Sequence, residues 1–277
     1  MNAIEIRNVS KTYDGFAIRD LDLVLPKGCI MGLIGKNGAG KTTLIKMLLG
    51  ITKKETGSIS VMGTDSSSLD MEDIGVVMDE AGFPECLTPS QLDNIMKNIY
   101  KKWDSRVYAD YIKRFDLPKN KAFGEFSKGM KMKLSIAVAM SHAPRLLVLD
   151  EATSGLDPVV RDEILDIFAE FTRDEEHSIL MSSHIVSDLE KICDYIAFIK
   201  EGQLMLCEEK DVILQKYAMV RGTHDQITSI DPEAVKGIRK TPYGTEAIVD
   251  REAIPDGAEA GKADIEDLFI FMSKEIM

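Results

Sequence analysis

Cysteine is scarce and poorly placed for chemistry. The 277-residue chain has four, Cys29, Cys86, Cys193 and Cys207, and no two form a CxxC pair. That spacing argues against a disulfide framework or a zinc site, and the thiols read as ordinary groups in a reducing compartment. Long apolar runs are missing too: none approaches the roughly 20 residues that cross a bilayer. The opening stretch MNAIEIRNVSKTY lacks the basic-then-apolar pattern of a secretory signal. Positive charge is in deficit, with 34 Lys and Arg against 46 Asp and Glu, a net charge of −12. General attraction to nucleic acid or acidic lipid is thereby disfavoured, although a local basic site stays open. If the chain serves a membrane, it does so through a partner. No internal repeat is visible.

What is present is ordinary for a globular protein: 44% hydrophobic and 29% charged residues, with mean hydropathy close to zero. The length suits one large domain, or a domain with an appendage. AIEIRNVSKTY and LDLVLPKG alternate apolar and polar residues, which predicts strands of an antiparallel sheet. A strand from Cys29 to Ile34 follows, then a glycine-rich loop, then a helix from about Lys41 that stops at Gly50. GSISVMG predicts another strand.

Between about Thr88 and His142 the pattern is helical, in TPSQLDNIMKNIYKKW, SRVYADYIKRFDL and KGMKMKLSIAVAMSH. Leu146 to Leu149 is short and wholly apolar, as in a parallel sheet covered on both faces. A helix (VVRDEILDIFAEFTRDE), the strand SILMSS, a helix (VSDLEKICDY) and the strand pair IAFIKEGQLM complete an α/β core interrupted by its helical middle. After about Tyr217 the segments KYAMVRG, VKGIRKTPYGTEAIVDR and a final helix DIEDLFIFMSKEI predict a small α+β appendage, with IPDGAEAGKAD as a flexible turn. The division is therefore 1–216 for the core, with its helical part at about 88–142, and 217–277 for the appendage.

IGKNGAGKTT, residues 34–43, carries the chemistry. Gly35, Gly40, Lys41 and Thr42 match G-x-x-x-x-G-K-[ST], and Asn37, Gly38, Ala39 and Thr43 fill the loop around them. Glycines let successive backbone N–H groups turn inward as an anion nest, and the positive end of the following helix points at the same place. Lys41 supplies a point charge for the β and γ phosphates of a nucleotide, and the Thr42 hydroxyl is a hard oxygen ligand for Mg2+. By chance the match arises in roughly one chain in a hundred of this length, and the strand before and helix after make it rarer.

RLLVLDEATSGLDP puts Asp150 and Glu151 at the carboxyl edge of the apolar strand, where α/β proteins bind ligands. Asp150 is placed to hold Mg2+ through water, and Glu151, one step further out, to orient and deprotonate an attacking water.

With these motifs the chain resembles the nucleotide-binding subunit of an ABC transporter over about residues 2–215. The resemblance implies a P-loop (RecA-like) ATPase core with an antiparallel β subdomain and an inserted helical subdomain. ATP and Mg2+ are the implied cofactors. SKGMK matches the family signature, close to LSGGQ: Ser127 and Gly129 keep the hydroxyl and backbone positions, whereas Lys128 and Met130 depart from Gly and Gln. The family uses this signature on the γ-phosphate of the opposing subunit's ATP. Tyr13 lies where an aromatic ring stacks on adenine, Asp157 in SGLDP where a loop contacts the dimer partner, and His184 where a histidine touches the γ-phosphate and attacking water. Between IGVVM and GFPECLT the family has a metal-reaching glutamine. Asp79 falls there, shorter and fully charged, which implies either a direct Mg2+ ligand or a longer link to the membrane partner, with Glu80 as the alternative after a one-residue slip.

The implied partners are a second cassette, in a homodimer or heterodimer, and a separate membrane-spanning permease that docks in the groove beside Asp79 and Phe83. That places the chain peripherally on the inner face of the cell membrane. The likeness is to exporter-type cassettes, including those for antimicrobial peptides and multidrug efflux. A soluble relative acting on nucleic acid or ribosomes is the second reading, and a non-catalytic regulatory module the third. The single cassette and acidic balance disfavour the former. The full set Lys41, Asp150, Glu151 and His184 disfavours the latter.

Overall fold

The computed structural model describes residues 2–79, 82–242, 244–255 and 258–273. The chain opens with strands β1 (Asn2–Tyr13), β2 (Phe16–Pro26) and β3 (Ile30–Ile34), then helix α1 (Lys41–Leu48). Strands β4 (Thr56–Val61), β5 (Thr64–Asp65) and β6 (Ile74–Val77) lead to helices α2 (Pro89–Ile99), α3 (Ser105–Arg114) and α4 (Lys128–Met140). β7 (Leu146–Asp150), α5 (Pro158–Phe171), β8 (Ser178–Ser183), α6 (Val186–Ile192), β9 (Tyr195–Lys200), β10 (Gln203–Glu209) and α7 (Lys210–Lys216) follow. The last part holds β11 (Tyr217–Gly222), α8 (His224–Thr228), β12 (Val235–Thr241), β13 (Gly244–Asp250), β14 (Glu259–Lys262) and α9 (Ile265–Met272).

The central sheet runs β10-β9-β3-β8-β7-β6, parallel except for the β9–β10 hairpin. Its inner strands are apolar throughout, yet they still sort side chains by the two-residue period of a strand. Leu147, Leu149, Ile179 and Met181 face one side with helices α4 and α5. Leu146, Val148, Leu180, Met31 and Leu33 face the other with α1 and the antiparallel sheet β2-β1-β4-β5.

The helical middle starts on a capping box, in which Thr88 and Gln91 satisfy each other's backbone N–H groups with Pro89 in the first turn. The helices and the turns that follow α3 bury Leu92, Tyr108, Ile112, Phe115 and Phe123. α2 stops at Ile99, four residues before the sequence pattern ends. Tyr100 leaves the helix to stack on buried His142 at 4.0 Å, and the Trp103 indole returns to donate to Asp93 at 2.8 Å.

Two further expectations need correction. VSDLEKICDY is helical only to Ile192. Beyond it the Asp194 carboxylate accepts from Ile30 N at 2.8 Å, and its own N–H donates to Ile30 O at 2.9 Å, tying the chain to the start of β3. Within IPDGAEAGKAD, Glu259–Lys262 form strand β14 on the edge of the last sheet, β12-β13-β11-β14. All four of its residues are exposed, so main-chain pairing alone makes the strand. Residues 256 and 257 of that stretch, and 274–276 of the expected final helix, lie outside the described residues.

The last sheet is not a separate body in its packing. Tyr217, Met219, Ile248, Leu268 and Phe271 join the apolar cluster that contains Phe198 of β9 and Leu189 of α6. Phe269 stacks on Phe198 at 6.0 Å, and Lys36, in the glycine loop, donates to Ser273 O at 3.3 Å. The opposite face of the sheet has its own small core of Val220, Ile227, Ile230, Val235, Ala247 and Val249.

Candidate active site at the strand ends

Register brings the motifs together. β8 lies between β3 and β7, with Ile34 opposite Ser183 and Asp150 opposite Ser182. The glycine loop, the Asp150–Glu151 pair and His184 therefore leave the same edge of the sheet side by side.

The loop between β3 and α1 is held from outside. Gly202, in the β9–β10 turn, donates to Ala39 O at 2.9 Å, while Arg19 N donates to Gly202 O at 3.1 Å. Gly40 sits at φ 111°, and a Cβ there would lie 2.9 Å from Phe16 Cζ, so the position needs glycine. Gly40 is also the N-cap of α1 and supplies no side-chain acceptor, which leaves the first amides of the helix open to an anion. Asn37 and Gly38 are exposed at the loop tip, Ala39 is buried, and Thr43 is half-buried on the first turn of α1.

Lys41 is buried to 6% exposure, and its Nζ donates to Gly35 O at 2.7 Å. The same ammonium lies 3.4 Å from Glu151 Oε1. The other carboxylate oxygen of Glu151 is 2.6 Å from His184 Nδ1. Glu151 Oε1 is buried and makes no hydrogen bond. Thr42 Oγ1 donates to Asp150 Oδ2 at 2.7 Å, and Ser182 Oγ donates to Asp150 Oδ1. Four expected residues, Lys41, Thr42, Asp150 and Glu151, thus form one cluster, with His184 on its rim.

Glu151 has a backbone φ of 54°, the left-handed region that non-glycine side chains seldom enter. Its N–H donates to Ser182 O at 3.1 Å and its carbonyl accepts from Ser154 N at 2.9 Å. These bonds hold the strained turn that aims the carboxylate back toward Lys41.

The remaining expected residues lie around the cluster. Tyr13 is 43% exposed at the end of β1, with its ring 6.4 Å from Phe16, which touches the glycine loop. Ser127 caps α4, its Oγ accepting from Met130 N at 3.2 Å, so the hydroxyl hydrogen remains available for an anion. Gly129 is in the first turn of α4. Asp157 caps α5 through Val159 N and Val160 N at 3.2 and 3.1 Å. Asp79 just beyond β6 pairs with Lys128 Nζ at 3.3 Å. Glu80 lies outside the described residues. His142 and His177 are structural, stacked on Tyr100 and Phe171.

Sequence reasoning missed Ser182, Phe16 and Gly202. The signal for Ser182 is faint but real: SILMSS ends in two serines inside an apolar strand, and buried hydroxyls need partners.

The donor set suits a nucleotide with its cation. A buried ammonium, open helix amides and two hard oxygen donors within 2.7 Å of each other face one place. Among the described residues no group of three or more His, Cys, Asp and Glu could hold a metal. A cation at Thr42 and Asp150 would therefore depend on phosphate oxygens for the rest of its shell.

Comparison with known proteins gives the family. The ABC transporter family model matches residues 18–154. The ABC transporter ATP-binding protein YtrB of Bacillus subtilis is 31% identical over 225 residues, covering 80% of this chain and 77% of that protein. The lantibiotic transport ATP-binding protein SrtF of Streptococcus pyogenes is 34% identical over 211 residues, 75% of this chain and 91% of that one. Among solved structures, an ATP-binding subunit of an ABC transporter superposes with a TM-score of 0.69 at 26% identity, over 76% of this chain and 91% of that one. The chain belongs to the ABC transporter family, as one of its ATP-binding, ATP-hydrolysing proteins.

Proposed function

We propose that this chain is the motor of an exporter for antimicrobial peptides or drugs, working through a separate membrane-spanning subunit. The observation that carries the mechanism is the Glu151 carboxylate, fixed between Lys41 and His184 with one buried oxygen left without a hydrogen bond. A general base needs a carboxylate oxygen that accepts no hydrogen bond, and Glu151 Oε1 accepts none, with the Lys41 ammonium 3.4 Å away. Glu151 takes the proton of the attacking water while His184 orients the carboxylate and the water. Lys41 and the open amides of α1 hold the phosphates. Thr42 and Asp150 would hold Mg2+, which would neutralise phosphate charge, and Ser182 fixes the Asp150 rotamer. Asp79, the third expected Mg2+ ligand, is engaged by Lys128 in the single subunit.

Phosphoryl transfer depends mostly on positioning and electrostatics, so half a site is a poor catalyst. The second half comes from another cassette, whose Ser127 hydroxyl and Gly129 amide face the γ-phosphate and whose Asp157 loop meets the first subunit. Tyr13 stacks on adenine. ATP closes the pair, and hydrolysis opens it. The cycle is passed to the membrane partner at the groove beside Asp79 and Phe83, where Phe83 packs edge-on against Phe123 at 5.5 Å.

The named function of SrtF in lantibiotic transport supports export of a peptide. No helix among the described residues is long and apolar enough to cross a membrane, which suits a chain held at the inner face by its partner. Residues 1–216 are the motor unit in this reading, and 217–277 an accessory unit built onto it.

Glu151→Gln tests the assignment. ATP affinity should be kept while turnover falls by about 10²–10⁴-fold. Near-normal turnover would remove Glu151 from its role. Copurification with ribosomes or RNA in place of a membrane-spanning protein would overturn the transport reading.

A further inference from the structure

Lys128 replaces a glycine of the family signature, and its surroundings are specific. It is the first residue of α4, directly after Ser127. Its ammonium lies 3.3 Å from Asp79 Oδ1, beyond β6, with both side chains about half exposed, at 57% and 49%. Its stem runs along Gly155, two residues before Asp157: a Cβ at Gly155 would be 3.2 Å from Lys128 Cδ. One cation thus joins the end of a core strand, the head of the signature helix and the loop leading to α5. Asp79 has no other hydrogen bond or ion pair among the described residues.

We propose that Lys128 is an exchangeable cation, held by Asp79 in the single subunit and passed to the phosphates of the opposing subunit's ATP when two cassettes close. This rests on the paired-cassette reading above and adds a specific contact to it. Two observations carry it. The first is strength: an ion pair this exposed contributes at most about 1 kcal/mol, so a multiply charged phosphate can outcompete one carboxylate for the ammonium. The second is charge. Each subunit carries −12, and closing two of them around anionic nucleotide brings like charges together. A lysine beside Ser127 offsets that repulsion where it is greatest. Asp79 then sets the ATP concentration at which the pair forms, since the latch must open before Lys128 can cross.

The test uses the full chain carrying Glu151→Gln, with light scattering to follow pairing as MgATP is raised. Asp79→Asn should lower the half-maximal ATP concentration about two- to fivefold, by removing the competitor. Lys128→Met should raise it by about tenfold, whereas Lys128→Arg should restore it. In the Lys128→Met background, Asp79→Asn should have no further effect.

A structural strut would shift both single variants in the same direction, and that result overturns the proposal. So does an Asp79→Asn effect that persists without Lys128, which would mark plain charge reduction. Weaker pairing in Asp79→Asn alone would mark Asp79 as a metal ligand and also overturn it. Failure of the Glu151→Gln chain to pair at any ATP concentration overturns the paired reading itself and this proposal with it. Pairing with unmoved half-points overturns the exchange alone.

Discussion

The backbone at Glu151 makes an unusual prediction about stability. At φ 54° an L side chain costs about 1–2 kcal/mol in contacts between its Cβ and the following carbonyl. Glycine escapes that cost but has about 0.5–1 kcal/mol more chain entropy to lose on folding. Glu151→Gly and Glu151→Ala both delete the contacts to Lys41 and His184, so those terms cancel in the comparison. What remains is strain relief less entropy, leaving the glycine variant more stable by about 0.5–1 kcal/mol. At an exposed position with ordinary helical φ the order is reversed.

Exposed Glu170, in α5, is the internal control: there Ala should exceed Gly by about 1 kcal/mol. Calorimetry reads the difference as roughly 1–4 °C in melting temperature, with opposite signs at the two positions. If Glu151→Ala melts at or above Glu151→Gly, the turn is not strained, and the carboxylate is aimed by contacts alone. Both variants should be inactive, so stability at this position is exchanged against catalysis.

Three other outcomes are expected. Lys41→Met should weaken ATP binding by at least tenfold in a fluorescent-nucleotide titration, since hydrogen bonds to charged groups contribute about 1.5–3 kcal/mol; unchanged affinity would contradict the phosphate assignment. Gly202→Ala should lower the melting temperature by several degrees and also loosen ATP binding, because its Cβ would fall 1.8 Å from Ala17 O at φ +77° and displace the turn that holds Ala39. Stability should also fall in mild acid through His142. Burial pushes its imidazole below the usual value, so the folded form stays neutral while the unfolded chain takes up a proton below about pH 6.5. The contribution is complete above that pH and is lost as pH drops toward the folded value. Urea midpoints at about pH 7.5 and 5.5 should converge in His142→Gln, which keeps a donor for Ile74 O; an equal acid loss in the variant would exonerate the histidine.

The site was legible in the sequence to the extent that it is made of side-chain chemistry at fixed spacing. Lys41, Thr42, Asp150, Glu151 and His184 are each named by a motif, and adjacent strand ends bring them within contact. The strained φ at Glu151 and the bond from Gly202 to Ala39 were not legible, because both depend on backbone geometry between segments far apart in sequence. Strand β14 escaped for a related reason: its residues bury nothing, so no apolar period marks it. Helix ends were misplaced where a single polar side chain redirects the chain, as Asp194 does at β3 and Trp103 does at Asp93. The pairing of Asp79 with Lys128 links two departures from the family pattern that are 49 positions apart, and only folding makes them one fact.

The seat of α9 has a consequence for how such proteins diversify. Phe269 rests on Phe198, Leu268 and Phe271 share a cluster with the core helices, and a lysine of the glycine loop reaches the carbonyl of Ser273. A tail grafted from a distant relative would arrive without its matching footprint, leaving a greasy seam on β9 and a phosphate-loop lysine with nothing to grip. Inheritance should therefore move Lys36, Phe198 and the last helix as a set. A chimera that swaps the tail alone should aggregate before its effect on transport can be asked.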